Sequence, residues 1–301
     1  MLRSERKTIM NGEEQKGFPQ AFDLDRYTIF QCVAGSRAFG TSGPDSDEDL
    51  RGIVIAPQEL LYSPFWSFSG HDEHSDERDL VLYELRKFMK LAAVSNPSII
   101  ELLWIPKDCL RVTTHWSDML MQRRRDFLSI AAKSRFIGYA SQQLHKLRLK
   151  RDYMKNPPEE RPVREDFPNS KSYKQAADKW RSFVAWRDGR SSTRQELEER
   201  FGYDTKHAAH LVRLLRMGWE IVTEGSVNVR RADAEELRKL RFEGAWSFED
   251  LEGYADEMMR KMDEFVEQGR SPLPEKPDLC ALNELCCEIT ADFYKTKGIA
   301  I

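Results

Sequence analysis

Apolar and polar positions along this 301-residue chain follow two rhythms. Up to about residue 112, short β-branched and aromatic runs are separated by turn residues. From about residue 113 the apolar spacing becomes that of helices. Residues 27–33 and 50–55 read as strands, and 64–69, where aromatic and polar residues alternate, as a third. The run 79–83 (Asp-Leu-Val-Leu-Tyr) reads as a strand feeding a helix over 84–94. Asn96-Pro97 stops that helix, because a residue before proline avoids the α region. A short helix is predicted over 98–103, and 70–77 as a polar, acidic loop. Later helices are predicted over 114–125, 130–151, 172–187, 204–222, 233–240, 247–267 and 278–295, with a short strand at 226–229. Between two of them, 152–171 carries Pro157, Pro158, Pro162 and Pro168 and few apolar residues, which predicts an exposed loop. The fold class expected is α+β: an N-terminal unit carrying the strands with helices, domain 1–112, then an all-helical domain over 113–301.

Composition narrows the class. With 40% hydrophobic and 32% charged residues the chain can build a core beneath a charged surface. A formal net charge of −3 argues against a general polyanion binder, but the distribution is uneven. Nine Lys or Arg and one acid, Asp126, fall between Arg123 and Arg151, whereas acids dominate 243–267. A basic middle and an acidic end would give a local anion-binding face. Five cysteines (Cys32, Cys109, Cys280, Cys286, Cys287) at irregular spacing lack both a disulfide framework and zinc-type pairs. No apolar run reaches membrane-spanning length. Residues 1–22 read as a frayed leader on which Phe18 and Phe22 would dock. Met1 to Lys16 lacks the apolar core of a signal peptide, so a cytoplasmic location is expected.

Candidate chemistry gathers after the first strand. Gly35-Ser36 makes a turn that can offer backbone N–H groups and a hydroxyl to phosphate oxygens. Asp47 and Asp49 follow, two residues apart, and in an extended segment both point to one face. Two adjacent carboxylates repel unless a cation lies between them. An all-oxygen set of this kind suits Mg²⁺ or Mn²⁺. The alternative is an acidic turn after a strand. Farther on, His207, His210 and Arg213 form a helical stripe beside Leu211, Leu214 and Leu215. That stripe is either a phosphate-binding wall with Lys206, or partly buried histidines next to a solvated arginine. The helix over 130–151 carries Phe136 and Tyr139 among its cations, and reads either as a track for an RNA backbone or as a solvated charged face.

The run from Gly35-Ser36-Arg37-Ala38-Phe39-Gly40-Thr41 through Pro44-Asp45-Ser46-Asp47-Glu48-Asp49-Leu50-Arg51-Gly52 resembles the signature of the DNA polymerase beta-like nucleotidyltransferase superfamily. It is most similar to the RNA-repair-pathway branch. Later segments extend the likeness over about residues 30–300: Asp79 to Phe88, Asn96-Pro97 with Glu101-Leu102-Leu103, and Lys206 to Leu215. The resemblance implies transfer of a nucleoside monophosphate from an NTP to an acceptor hydroxyl with release of pyrophosphate. It implies a small mixed sheet flanked by helices, Gly35, Ser36 and Arg37, with Lys206, His210 and Arg213, on the nucleotide, and a helical domain that completes the nucleotide cleft. It further implies Asp47, Asp49 and a third acid on a neighbouring strand as catalytic metal-binding acids for Mg²⁺ or Mn²⁺: Asp79, which opens an apolar strand, is the choice, with Glu84 as runner-up and Asp76 and Glu77 behind them. The expected acceptor is an RNA or tRNA end, and the alternative a protein hydroxyl receiving AMP. A non-catalytic nucleotide-binding or toxin–antitoxin partner protein is a further alternative, against which the intact Gly-Ser and Asp-x-Asp stand.

Overall fold

The computed structural model describes residues 22–44, 46–75 and 78–298. Asp45, the weaker third-acid candidates Asp76 and Glu77, and the leader as far as residue 21 with Phe18, lie outside the described residues. Phe22 does dock: its ring meets Tyr27 edge-on at 5.4 Å and Phe68 at 5.1 Å.

The first half is a mixed five-stranded sheet with short helices. In chain order it runs α1 (Leu24–Tyr27), β1 (Thr28–Val33), α2 (Gly35–Phe39), β2 (Glu48–Val54), α3 (Gln58–Leu61), β3 (Gly70–His74), β4 (Arg78–Glu84), α4 (Leu85–Ala93), α5 (Pro97–Ile100) and β5 (Leu110–Val112). The helices that follow are α6 (His115–Gln122), α7 (Ala131–Lys155), α8 (Ser170–Asp188), α9 (Ser192–Phe201), α10 (Thr205–Glu224), α11 (Ala234–Glu243), α12 (Phe248–Glu267) and α13 (Leu279–Thr296). The strand order is β3-β4-β2-β1-β5. Only β2 and β4 pair in parallel; β1 runs antiparallel to β2 and β5, and β3 to β4.

Two strand expectations fail. Residues 64–69 carry no strand, although Phe68 is buried, while the polar run His71-Asp72-Glu73-His74 forms β3. The reason is position. β3 is an edge strand held by its backbone ladder to β4, so it needs no apolar face and leaves no hydrophobic alternation to read. Residues 226–229 are likewise irregular despite their apolar Val227 and Val229, both buried. Among the helices from α6 onward, one went unpredicted. α9 has almost no apolar stripe and rests instead on its ends: Ser191 caps it through the Arg194 N–H, and Gly202 closes it in the left-handed region at φ 75°. The proline-bearing stretch is shorter than expected, because α7 runs on to Lys155 before the irregular, largely exposed segment begins.

The chain packs as two compact units. The first takes in the described residues up to 136, with 217–234 and the chain from 264 onward; the second holds 137–216 and 235–263. In the first unit α4 lies against β2 and β4, α6 against β1, and α13 against α4 and α6. Leu85, Phe88, Met89 and Ala92 form the buried face of α4. α13 is tied in by polar contacts as well: the buried Tyr294 hydroxyl donates to the Ala56 carbonyl at 2.5 Å, and the Trp116 indole donates to Asp292 at 2.8 Å. Asn96 caps α5 through the Ser98 N–H, with Pro97 in the first turn.

In the second unit the basic and acidic stretches meet one another. Arg148 pairs with Glu252 at 2.6 Å, Lys150 with Asp204 at 2.8 Å and Arg151 with Glu249 at 2.9 Å. Part of the cationic surface expected on α7 is therefore neutralised by acids of α12 and by Asp204. Among the described residues no helix is long and apolar enough to cross a membrane.

Candidate active site

The site is built where β1 ends and β2 begins. Val33 closes β1 opposite Leu50, and the next N–H, that of Ala34, donates to the Asp49 carbonyl at 2.7 Å. The chain then turns sharply at Gly35, whose φ is +61°. A Cβ there would lie 2.1 Å from Asp49 Oδ2, so the carboxylate occupies the space a side chain would need. Both facts demand glycine. Ser36 lies in the first turn of α2, and Arg37 reaches back from α2 to the aspartate loop. Its guanidinium donates to the Ser46 carbonyl at 2.8 Å and to the Asp47 carbonyl at 3.4 Å. Asp47 itself is exposed, one residue ahead of β2.

Across the parallel pair the register aligns Asp49 with Asp79. Register partners on adjacent strands share a face, and so does the residue two positions on, Arg51. Arg51 Nη2 lies 2.7 Å from Asp79 Oδ2 and 3.3 Å from Asp49 Oδ1. Its Nη1 donates to the carbonyls of Leu50 at 2.8 Å and Asp79 at 2.9 Å. From β3, His74 Nδ1 stands 2.5 Å from Asp79 Oδ1. Burial by itself would raise the Asp79 carboxyl; the Arg51 hydrogen bond and charge, with His74, outweigh it and hold the group below its ordinary pKa. Glu84, the other third-acid candidate, aligns with Val54 instead, five positions from Asp79, roughly 16 Å along a strand that rises ~3.3 Å per residue. It is buried, caps α4 through the Arg86 N–H at 3.0 Å and pairs with the Arg86 side chain. Burial pushes its carboxyl up, against those Arg86 contacts.

A later segment that the sequence did not connect with the site braces α2. The Arg231 N–H donates to the Phe39 carbonyl at 3.1 Å, and Arg230 Nη1 to the Arg37 carbonyl at 3.0 Å. Arg230 also pairs with Asp108 at 2.5 Å, and the buried Arg231 is held by Glu220 and Asp233. No local pattern marks these arginines. Arg51 did carry a signal, since it sits two residues beyond Asp49 in a strand.

The donor set around Asp49 and Asp79 fits a hard divalent ion. Two carboxylate oxygens on neighbouring strands approach one point closely enough to share a single guanidinium nitrogen, and both are the oxygen donors Mg²⁺ and Mn²⁺ prefer. Among the described residues no three His, Cys, Asp or Glu side chains gather into a ready-made metal cluster. Cys32, aligned with Arg51 on β1, is buried with its thiol pushed up to about 12 and stays neutral.

Lys206, His210 and Arg213 belong to the second unit. Lys206 is exposed and Arg213 buried. Burial first, then the like charges of Arg213, His207, Lys146 and Lys206, depress the His210 pKa to about 3. Burial also depresses His207, to about 4; Asp204 opposes this, while Lys150, Arg194 and Lys146 add to it. Folding therefore favours neutral imidazoles here. Their stabilisation is fully present above an unfolded pKa of about 6.5 and is lost as the pH falls toward the folded values. Each histidine contributes a slope of at most ~1.4 kcal/mol per pH unit in that window. Urea midpoints at about pH 7.5, 6 and 5 should fall accordingly, and less steeply in a His207→Gln/His210→Gln variant. Parallel curves for the two proteins would dismiss this account.

Comparison with known proteins adds four findings. A family model described as "RNA repair pathway DNA polymerase beta family" matches residues 11–233. An uncharacterized 38.9 kDa protein of Enterobacteria phage T4, from the nrdC-mobD intergenic region, is 28% identical over 134 residues, 41% of this chain and 39% of that protein. The uncharacterized protein YcgL of Bacillus subtilis (strain 168) is 31% identical over 103 residues, 32% of this chain and 36% of that one. The chain thus spans less than two fifths of the length of these relatives. Among solved structures, a nucleotidyltransferase-like protein from Exiguobacterium sibiricum 255-15 aligns over 90% of this chain and 86% of its own at 12% identity, with a TM-score of 0.26.

Proposed function

The chain belongs to the RNA repair pathway DNA polymerase beta family, and on that premise we propose that it transfers a nucleoside monophosphate from an NTP to an acceptor hydroxyl, releasing pyrophosphate, with an RNA or tRNA end as acceptor. The observation that carries this reading is the meeting of Asp49 and Asp79 across β2 and β4, beside the Gly35-Ser36 turn. A reaction on a triphosphate must gather negative charge at one place and keep it oriented. A pair of facing carboxylates next to a glycine-serine turn is the arrangement that would do so with a divalent ion.

Asp47, Asp49 and Asp79 would hold Mg²⁺ or Mn²⁺. When bound, the ion neutralises phosphate charge and polarises the P–O bonds. The protein's own groups do the rest. Gly35 makes room for the Asp49 carboxylate against the turn, and Ser36 and Arg37 stand at the turn where the triphosphate would lie. Asp79, ionised at neutral pH, would accept the proton of an acceptor hydroxyl attacking the α-phosphorus. The bracing of α2 by Arg230 and Arg231 would keep this turn from shifting when the substrate binds.

The test is incubation of the protein with each α-labelled NTP, Mg²⁺ or Mn²⁺, and total RNA. Label is expected in RNA. Label appearing in protein alone would move the acceptor to a protein hydroxyl, and absence of transfer with every NTP and both metals would overturn the reading.

A further inference from the structure

We propose that Arg51 is the resident counter-cation of the Asp49–Asp79 pair: its guanidinium holds the two carboxylates together while no ion is bound, and a divalent ion must compete with it for their oxygens. The proposal rests on the metal-dependent reading above and concerns how that site loads.

Three observations carry it. First, one nitrogen serves both acids, Nη2 at 2.7 Å from Asp79 Oδ2 and 3.3 Å from Asp49 Oδ1. A carboxylate lone pair that accepts an N–H cannot also ligate a metal, and Mg²⁺ requires its oxygens at about 2.0–2.1 Å. The guanidinium therefore stands at the point where the two acids would share an ion. Second, the register fixes the two aspartates side by side, so a cation placed between them relieves their repulsion. Asp49 and Asp79 are Cα partners in a parallel pair, and the backbone ladder from Glu48↔Arg78 to Val54↔Glu84 keeps the two positions side by side. Third, the guanidinium is anchored independently of the carboxylates. Nη1 donates to the Leu50 and Asp79 carbonyls at 2.8 and 2.9 Å, and the Arg51 side chain is only 20% exposed. That anchorage holds the charge beside the acids, so an arriving divalent ion meets a local positive charge as well as occupied oxygens.

Neither His74 nor Cys32 bridges the two acids. His74 touches Asp79 alone, at Oδ1. Cys32, across on β1, brings no charge. Asp49 Oδ2 lies against Gly35, on the side away from Arg51's contact with Oδ1. Two aspartates that share one arginine nitrogen form a site with low intrinsic affinity for a free divalent ion, one that keeps its carboxylates in position without an ion.

Mn²⁺ binding to the nucleotide-free protein, read by calorimetry or by the paramagnetic signal of free Mn²⁺, tests the idea without reference to turnover. Arg51→Gln removes the charge and is expected to tighten Mn²⁺ binding by about tenfold or more, as loss of a unit charge a few ångströms from the ion should. Arg51→Lys keeps a charge but not the planar fork, so it can neutralise only one acid at a time; about threefold tightening is expected. Should the glutamine variant fail to fold, the lysine variant decides alone. Unchanged or weaker Mn²⁺ binding in the folded variants, or no binding by wild type and variants alike, would overturn the proposal. Label transfer is scored separately. A wild-type protein that labels RNA while Arg51→Gln binds Mn²⁺ no more tightly leaves the function standing and removes this role for Arg51. Tighter binding without any transfer does the reverse.

Discussion

Replacing either Asp49 or Asp79 by asparagine is expected to lower label transfer from an α-labelled NTP by about 10³-fold or more, the scale on which loss of a preorganised charge acts in a polar active site. Asparagine keeps the shape and removes the charge, so what is lost is the ability to hold a divalent ion and, at Asp79, to accept a proton. The fold should tolerate the change. Both carboxylates are about a third exposed, and ion pairs with that much water contribute of order 1 kcal/mol or less. The β2–β4 ladder is made by backbone groups that neither substitution touches. The measurement is transfer rate beside thermal unfolding. Activity within about tenfold of wild type in a well-folded Asp49→Asn or Asp79→Asn protein would remove that residue from the site. Glu84→Gln supplies the contrast, because Glu84 caps α4 at the far end of β4. Its loss should be read in stability and not in transfer beyond what unfolding explains.

Asp204→Ala is expected to destabilise the second unit by about 3–5 kcal/mol, the cost of leaving buried partners without their counter-charge. The Asp204 side chain is wholly buried. It accepts from Lys150 at 2.8 Å and from Arg194, and its other oxygen caps α10 through the His207 N–H at 3.1 Å. Burial alone would push the Asp204 carboxyl up; the charges of His207, Lys150 and Arg194 outweigh it and hold the group well below the usual carboxylate range. Above the His207 pKa of about 4 the lasting cations are Lys150 and Arg194. Without Asp204, Lys150 at 15% exposure and Arg194 face each other, with Glu198, already paired with Arg190, as a partial offset. The α10 cap goes as well, typically a further ~1 kcal/mol. Asp204→Asn keeps an acceptor for the cap and should lose less. Urea unfolding at neutral pH checks both; an alanine variant within about 1 kcal/mol of wild type would mean that the network contributes nothing net.

Much of the fold could be read from local pattern. The apolar runs that became β1, β2 and β4 have buried side chains on the inner strands of a sheet, and their composition says strand without reference to neighbours. Seven of the eight helices from α6 onward were anticipated, with ends shifted by a few residues, because an apolar stripe and a cap are both local. The elements that were missed or misassigned lack such signals. β3 is polar and exists through its partner strand, α9 is held by its caps, and the aromatic residues of 64–69 are apolar without being in a sheet. Part of the candidate site was legible too. Gly35, Ser36 and the two aspartates stand in one continuous stretch, where spacing constrains geometry.

What the sequence by itself determined is the inventory and its local arrangement: an acid-bearing strand after a glycine-serine turn, an acid at the head of another apolar strand, and helices thereafter. Only the tertiary structure decided which acids meet. The register of β2 on β4 sets Asp49 opposite Asp79 and leaves Glu84 five positions away as a helix cap. It also brings Arg51 between the aspartates, and carries Arg230 from nearly two hundred residues away to the carbonyl of Arg37. The charge of 123–151, open to solvent when read along the chain, is in part closed off by acids about a hundred residues distant. The physical reason is the same in each case. Strand register, ion pairing and bracing are contacts between segments whose separation in sequence carries no periodic signature, so they become fixed only when the core brings the segments together.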